Sequence, residues 1–387
     1  MIEQERPIGT LRPIVVSLRG REQRGHAYLP DPLPGRVDLE PATWEALADA
    51  AAALGELRGA VTEMPSLALV ARPTIRREAV ATSALEGTFA LIDEVLDAEV
   101  ADTEPGGPMR EVLNYIRAVE VGLEAMKDDR PLSLNLIHSL HGVLMEGGRY
   151  SSGRPGRVRT SQVVIGSRTG GLEDAIHVPP PPGPDLEGGL HAWERWIHEA
   201  RLHPLIRVGL GHYQFEVLHP YSDGNGRIGR LVVVLQLIEA GVLPDHLFAI
   251  SPYLEERREA YLGELQAVTD SGDFNPWLTF FFGALAEAAS DSQQLIRALG
   301  EAVEHLKEVA REAGLRGTAI RVVEGLLVEP VVTAASVAAR YDVTFQAANN
   351  AVGNLVDAGI LEEVTGQSRN RRFRAPSIIR RIADPRL

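Results

Sequence analysis

The stretch His219-Pro220-Tyr221-Ser222-Asp223-Gly224-Asn225-Gly226-Arg227-Ile228-Gly229-Arg230 joins two segments of helical character. Ahead of it, Ile206, Leu210, Tyr213 and Val217 recur at i, i+4, i+7 and i+11, one face of a helix over 205–218. Behind it, the run from Ile228 to Ala240 is apolar and stops at Gly241. A turn of this composition has the parts of a phosphate site. Gly224 and Gly226 permit backbone conformations that gather N–H groups on one side, and the following helix adds its positive end. Arg227 and Arg230, three apart on the first helical turn, can both reach phosphate oxygens. Asp223 offers a hard oxygen to Mg2+, and His219 titrates near neutrality, where it can take a proton from an attacking hydroxyl. Residues 224–229 also fit GxGxxG, with Asp245 further on, but a dinucleotide fold needs a buried strand before the glycines. The preceding segment has helical period and Pro220 interrupts the approach, so that reading is set aside.

The rest of the chain suits a mostly α-helical protein. Helical composition covers Pro41 to Leu69, Pro73 to Leu85 with a break at Gly87, Phe89 to Glu99, Met109 to Ala125 and Leu134 to Met145. It returns over Leu186 to Ala200, Glu255 to Thr269 and Pro276 to Ala313. The first 40 residues, rich in Pro, Gly and Arg, read as an irregular arm, and Ala101 to Pro108 as a boundary loop. Between Gly147 and Pro184, the runs Gln162 to Ile165 and Ala175 to Val178 flank a glycine-rich turn and read as a β-hairpin. Near the C-terminus, Thr333 to Tyr341, Phe345 to Ala358, Gly359 to Leu361 and Arg369 to Arg374 read as helix, turn, helix and short hairpin, a winged-helix module. The expected division is an N-terminal arm and helices over 1–108, a core over 109–290, and a linker helix with the winged helix over 291–387.

A net charge of −14 argues against a whole surface that binds nucleic acid or anionic membrane. The absence of cysteine removes disulfides and thiolate metal sites. Met1 to Thr10 lacks the apolar core of a signal peptide, and no run of about 18 apolar residues occurs, so no membrane span is expected and the default location is cytoplasmic. His138 and His141 lie at i, i+3 on a helix without a carboxylate to complete a metal triad; both read as structural. Arg369, Arg371, Arg372, Arg374, Arg380, Arg381 and Arg386 make the C-terminal module locally basic, which suits DNA phosphates, with partner docking or a homodimer contact as the other reading.

The segment 219–230 resembles the signature of the Fic family, HPFx(D/E)GNGRxxR, at every functional position; only Tyr221 departs, keeping the ring and adding a hydroxyl. The resemblance implies a Fic helical core with a β-hairpin flap, and Mg2+-dependent transfer of AMP from ATP to a Tyr, Thr or Ser of a target protein or of the protein itself. By position it makes His219 the general base, Asp223 the Mg2+ ligand, Gly224, Asn225 and Gly226 the anion hole, Arg227 a phosphate contact and Arg230 the clamp on the γ-phosphate. Thr82-Ser83-Ala84-Leu85-Glu86-Gly87 resembles the family's inhibitory motif, (S/T)xxxE(G/N). It implies that Glu86, on one helical face with Thr82, pairs with Arg230 and holds the γ-phosphate's place. Residues 162–178 resemble the family's flap, which registers a target segment by β-addition. Tyr253, in Ser251-Pro252-Tyr253-Leu254, resembles an aromatic that stacks near adenine. Two rivals stand beside this reading: removal of AMP by the same site, and a DNA-binding regulator whose core senses nucleotide.

Overall fold

A computed structural model describes residues 3–62, 64, 66–101, 105–128, 130–148, 154–366 and 370–386. Residues 102–104 of the expected boundary loop and Arg369 of the basic cluster lie outside the described residues.

The chain opens with three strands, β1 (Gln4–Arg6), β2 (Gly9–Leu18) and β3 (Arg21–Pro30). Helices α1 (Pro41–Thr62), α2 (Ala68–Leu85) and α3 (Ile92–Glu99) follow. Next come α4 (Gly107–Lys127), α5 (Leu134–Leu144), α6 (Pro184–Glu199), α7 (Pro204–Leu218), α8 (Asn225–Glu239), α9 (Ser251–Glu256), α10 (Arg258–Ser271) and α11 (Asn275–Glu312). The C-terminal part holds α12 (Thr318–Gly325), β4 (Val331–Thr333), α13 (Ala334–Tyr341), α14 (Phe345–Asp357), β5 (Glu362–Glu363), β6 (Arg372–Arg374) and α15 (Pro376–Ala383).

Of the expected irregular arm, residues 31–40 hold no helix or strand, but residues 4–30 are regular. They form an antiparallel sheet in the order β1-β2-β3, with Leu11 opposite Tyr28 and Ile14 opposite Gly25. Arg19 (φ 51°) and Gly20 (φ 75°) both adopt left-handed conformations in the two-residue turn, whose twist matches that of the flanking strands. Pro13, which argues against a strand, is tolerated because β1 reaches only to Leu11, leaving one edge of β2 open beyond it.

One hydrophobic core runs from Tyr28 to Ala289 and takes in α1, α2, α4 to α8, α10 and the first half of α11. α8 is its axis, with Ile228 and Leu231 to Leu235 almost wholly buried. A second core begins at Leu295 on the same α11 and ends at Ile382. α11 is therefore one 38-residue helix shared by both cores. The second core is built from α12, α13, α14 and a three-stranded sheet in the order β4-β6-β5. It rests on the first through a small cluster of Leu96, Val331 and Ile379. Arg76 of α2 strengthens that contact, pairing with Glu99 at 2.7 Å and donating to the Val328 carbonyl at 2.9 Å.

Candidate functional site

α7 ends where His219 turns left-handed (φ 48°, ψ 63°), and α8 begins after Gly224, which is left-handed too (φ 77°). Asn225 closes the turn between them. Its Oδ1 accepts from the Tyr221 N–H at 2.8 Å and its Nδ2 donates to the Tyr221 carbonyl at 2.8 Å. The side chain of Asn225 is thus spent on the loop, and what it offers an anion is its backbone N–H at the start of α8.

Tyr221 is fully buried and stacks on His141 with ring centroids 3.7 Å apart. Its added hydroxyl is matched by His138 Nδ1 at 2.7 Å. His141 Nδ1 accepts from the Gly156 N–H at 2.9 Å, so Nε2 carries the proton and donates to the Asp223 carbonyl at 3.0 Å. Burial pushes the His141 imidazole down to about 4, which keeps it neutral. The two histidines read as structural are therefore the underside of the turn.

A cavity of about 230 Å³ opens above the turn, lined among others by Glu86, Ile176, Glu216, His219, Gly226, Arg230 and Tyr261. His219 Nδ1 lies 3.3 Å from the Glu216 carbonyl, which can only accept, so Nε2 keeps the lone pair. Burial, with the His177 ring and the Arg159 guanidinium adding to it, pushes His219 down to about 3. Glu216 lies in the same cavity; burial lifts its carboxyl to about 7, against the pull of Arg230.

Arg230 is 2% exposed. It donates through Nε to Thr82 Oγ1 at 2.7 Å, and through Nη2 to the Thr82 carbonyl at 3.1 Å and Glu86 Oε1 at 2.8 Å. A Cβ at Gly226 would collide with Glu86 Oε1, so the carboxylate lies directly over the glycine at the N-terminal end of α8. Burial works against the Glu86 charge, but Arg230, with Arg227 behind it, holds the carboxyl below its usual range. The Glu86 carboxylate thus sits at the N-terminal end of α8, paired with Arg230.

Arg227 points elsewhere. It is buried, meets Glu111 Oε2 at 3.3 Å and Asp223 Oδ2 at 3.5 Å, and does not line this cavity. The three-residue spacing does not aim both arginines at one point, because Glu111 on α4 draws Arg227 away from Arg230. Asp223 lines a second cavity of about 190 Å³ with Ser222, Arg154 and Arg157. Its Oδ2 is buried and accepts no hydrogen bond from the described residues. Tyr253 is not in the cavity: it packs edge-on to Phe280 under the Arg257 guanidinium, and Tyr261, one helix on, takes the aromatic place in the lining. A helix break at Arg257, unmarked by Gly or Pro, separates Tyr253 on α9 from Tyr261 on α10.

The expected hairpin narrows to a single bridge, Ile165 with His177, between otherwise irregular arms. Its support comes from the unforeseen N-terminal sheet: Tyr28 N–H donates to the Val178 carbonyl at 2.8 Å, and Leu172 N–H to Gln23 Oε1 at 2.7 Å. In the C-terminal module the basic cluster is largely committed. Arg371 pairs with Glu363 and Arg374 with Glu362, while Arg372 donates to the Asp97 carbonyl on α3. Counting arginines along the sequence misses the two glutamates on the neighbouring strand.

Residues 44–124 match the family described as Fic/DOC family N-terminal, and residues 131–237 match the Fic/DOC family. The Protein adenylyltransferase Fic of Drosophila yakuba is 35% identical over 128 residues, 32% of this chain and 22% of that protein. Its namesake in Drosophila ananassae is 29% identical over 206 residues, 51% and 38% of the two. The chain thus spans less than two fifths of the length of these relatives. A Fic family protein from Desulfovibrio desulfuricans G20 shares the fold, with a TM-score of 0.57 at 22% identity over 89% of this chain and 98% of that one. A Fic/DOC N-terminal region is thus followed by a Fic/DOC core, and the protein is a Fic domain protein.

Proposed function

We propose that the protein transfers AMP from ATP to a hydroxyl of a protein side chain, on a target or on itself, and that Glu86 holds it inactive. The observation that carries this reading is the Glu86 carboxylate lying over Gly226 in the grip of Arg230, an anion seated where a phosphate would bind. The name carried by the Drosophila relatives, Protein adenylyltransferase Fic, supports the reaction class.

In this reading the backbone N–H groups at the start of α8 hold the phosphates, and Arg230, once free of Glu86, clamps the γ-phosphate. His219 Nε2 takes the proton of the incoming hydroxyl while its Nδ1–H stays on the Glu216 carbonyl. The hydroxyl oxygen bonds to the α-phosphorus as the bond to pyrophosphate breaks, and catalysis is positioning plus neutralisation of charge. Asp223 is the residue that fits a magnesium ion: its Oδ2 is buried without a hydrogen-bond donor, and one carboxylate with phosphate oxygens is what that ion takes. Bound there, the ion would neutralise phosphate charge. Among the described residues no helix is long and apolar enough to cross a membrane; a cytoplasmic location is part of the proposal.

The test is Glu86→Gly protein given α-labelled ATP and Mg2+ with a cell lysate, beside wild type and the double variant with His219→Ala. Label should enter protein at least about tenfold faster in Glu86→Gly than in wild type, the change that 1.4 kcal/mol brings. It should be absent without His219. No label in any of the three overturns the reading.

A further inference from the structure

Arg159 is 3% exposed, yet among the described residues every hydrogen bond it donates goes to a backbone carbonyl. Nε reaches the His219 carbonyl at 2.9 Å, Nη1 the Ser161 carbonyl at 3.3 Å and Nη2 the Pro180 carbonyl at 2.5 Å. Its own N–H donates to the Pro220 carbonyl at 2.9 Å. A buried cation with no carboxylate beside it is costly, and here burial pulls the guanidinium down to about 10. An apolar side chain would fill the space without that cost, so the donors themselves must matter.

What they join is informative. Ser161 and Pro180 are the two feet of the hairpin whose Ile165, Ile176 and His177 line the cavity. The third carbonyl belongs to His219, whose backbone is left-handed without being glycine. Such a conformation costs on the order of 1 kcal/mol and persists only where its surroundings hold it. The fork geometry of arginine, with fixed donor directions, suits that work where a lysine's single ammonium does not.

We propose that Arg159 is a positioning residue: its guanidinium ties the carbonyl of His219 to both feet of the hairpin, so the base and the frame of the acceptor side keep one geometry. This rests on the transferase reading of the same site. Without Arg159 the nucleotide cradle on α8 stays intact, while His219 and the hairpin drift relative to it.

The experiment uses full-length Glu86→Gly protein with Arg159→Gln or Arg159→Lys added. Turnover, the Kd for Mg·ATP by calorimetry, and hydrogen exchange over 160–180 and 219–226 are measured. For Arg159→Gln, kcat falls by about 100-fold, the scale of a small misplacement of reacting groups, while Kd stays within about threefold. Exchange accelerates in 160–180 and at 219–221 and stays at the parent level elsewhere. Arg159→Lys, which keeps the charge without the fork, recovers only part of kcat; it also serves if Arg159→Gln fails to fold. Parent-level kcat with parent-level hairpin exchange overturns the proposal, as does a loss of kcat matched by an equal loss of nucleotide affinity. Should the Glu86→Gly parent bind nucleotide and label nothing, the transferase reading falls and exchange alone decides: joint loosening of the two segments supports the tie, unchanged exchange removes it.

Discussion

Glu86 Oε1 stands 2.8 Å from Arg230 Nη2, on a guanidinium whose Nε is held at 2.7 Å by Thr82, four residues earlier on the same helix face. One turn at the end of α2 thus grips both sides of the guanidinium that, in the proposed reaction, clamps the nucleotide.

The charge of Glu86 carries this grip, and its pH dependence follows. The folded carboxyl titrates below its usual range, so the pair is intact above the ordinary carboxylate pKa and is lost only as pH falls through the lower, folded value. The ratio of Glu86→Gly to wild-type labelling should therefore be flat from about pH 6 to about pH 8, well above the carboxylate range. Labelling rates at several pH values check this.

Thr82 is fully buried and accepts from a charged donor. Thr82→Ala leaves Arg230 Nε without that acceptor in a dry site. The cost should be about 1.5–3 kcal/mol of stability, read from the midpoint of urea denaturation. Basal labelling should rise as well, though less than in Glu86→Gly.

Asp223→Asn removes a charge and leaves Arg227 with Glu111 as its remaining carboxylate. In the Glu86→Gly background, half-saturation by Mg2+ should move up at least about tenfold, a loss of about 1.4 kcal/mol. Labelling rates across a magnesium titration measure it.

Tyr221→Phe installs the residue that the resembled signature carries. The ring keeps its stack on His141, and only the 2.7 Å bond to His138 goes. Stability should drop by about 0.5–1.5 kcal/mol, and the labelling rate of the Glu86→Gly protein should not change.

His246 is buried, and neither of its ring nitrogens has a hydrogen-bond partner among the described residues. Burial pushes it down to about 4. The unfolded chain takes up a proton near pH 6.5 and the folded one does not, so stability falls as pH drops from 7 to 5. The slope contributed is about 1 kcal/mol per pH unit. His246→Leu should flatten the decline by about that much, as seen in thermal midpoints across the range.

The helical fold and the turn between α7 and α8 are legible because their signals are local. The i, i+4, i+7 face of α7 and the paired glycines at 224 and 226 need no distant partner to be read. The N-terminal sheet was hidden by composition: Pro13 and the arginines of β2 and β3 mask a ladder that the Arg19-Gly20 turn sets in register. Arg159 gave no signal, since one more arginine in a Gly, Pro and Arg stretch acquires meaning only when three carbonyls converge on it. Arg227 misled for the opposite reason. Helix spacing puts it beside Arg230, but Glu111, 116 residues earlier, decides where it points.

The fork of Arg76 holds the C-terminal lobe to α2 through Glu99 and the Val328 carbonyl. Ten residues later, about 15 Å along the rod, the same helix delivers Glu86 to the cradle. Latch and plug are cut from one stick, so the tail lobe cannot slide along that axis unless the fork snaps or the plug is drawn with it.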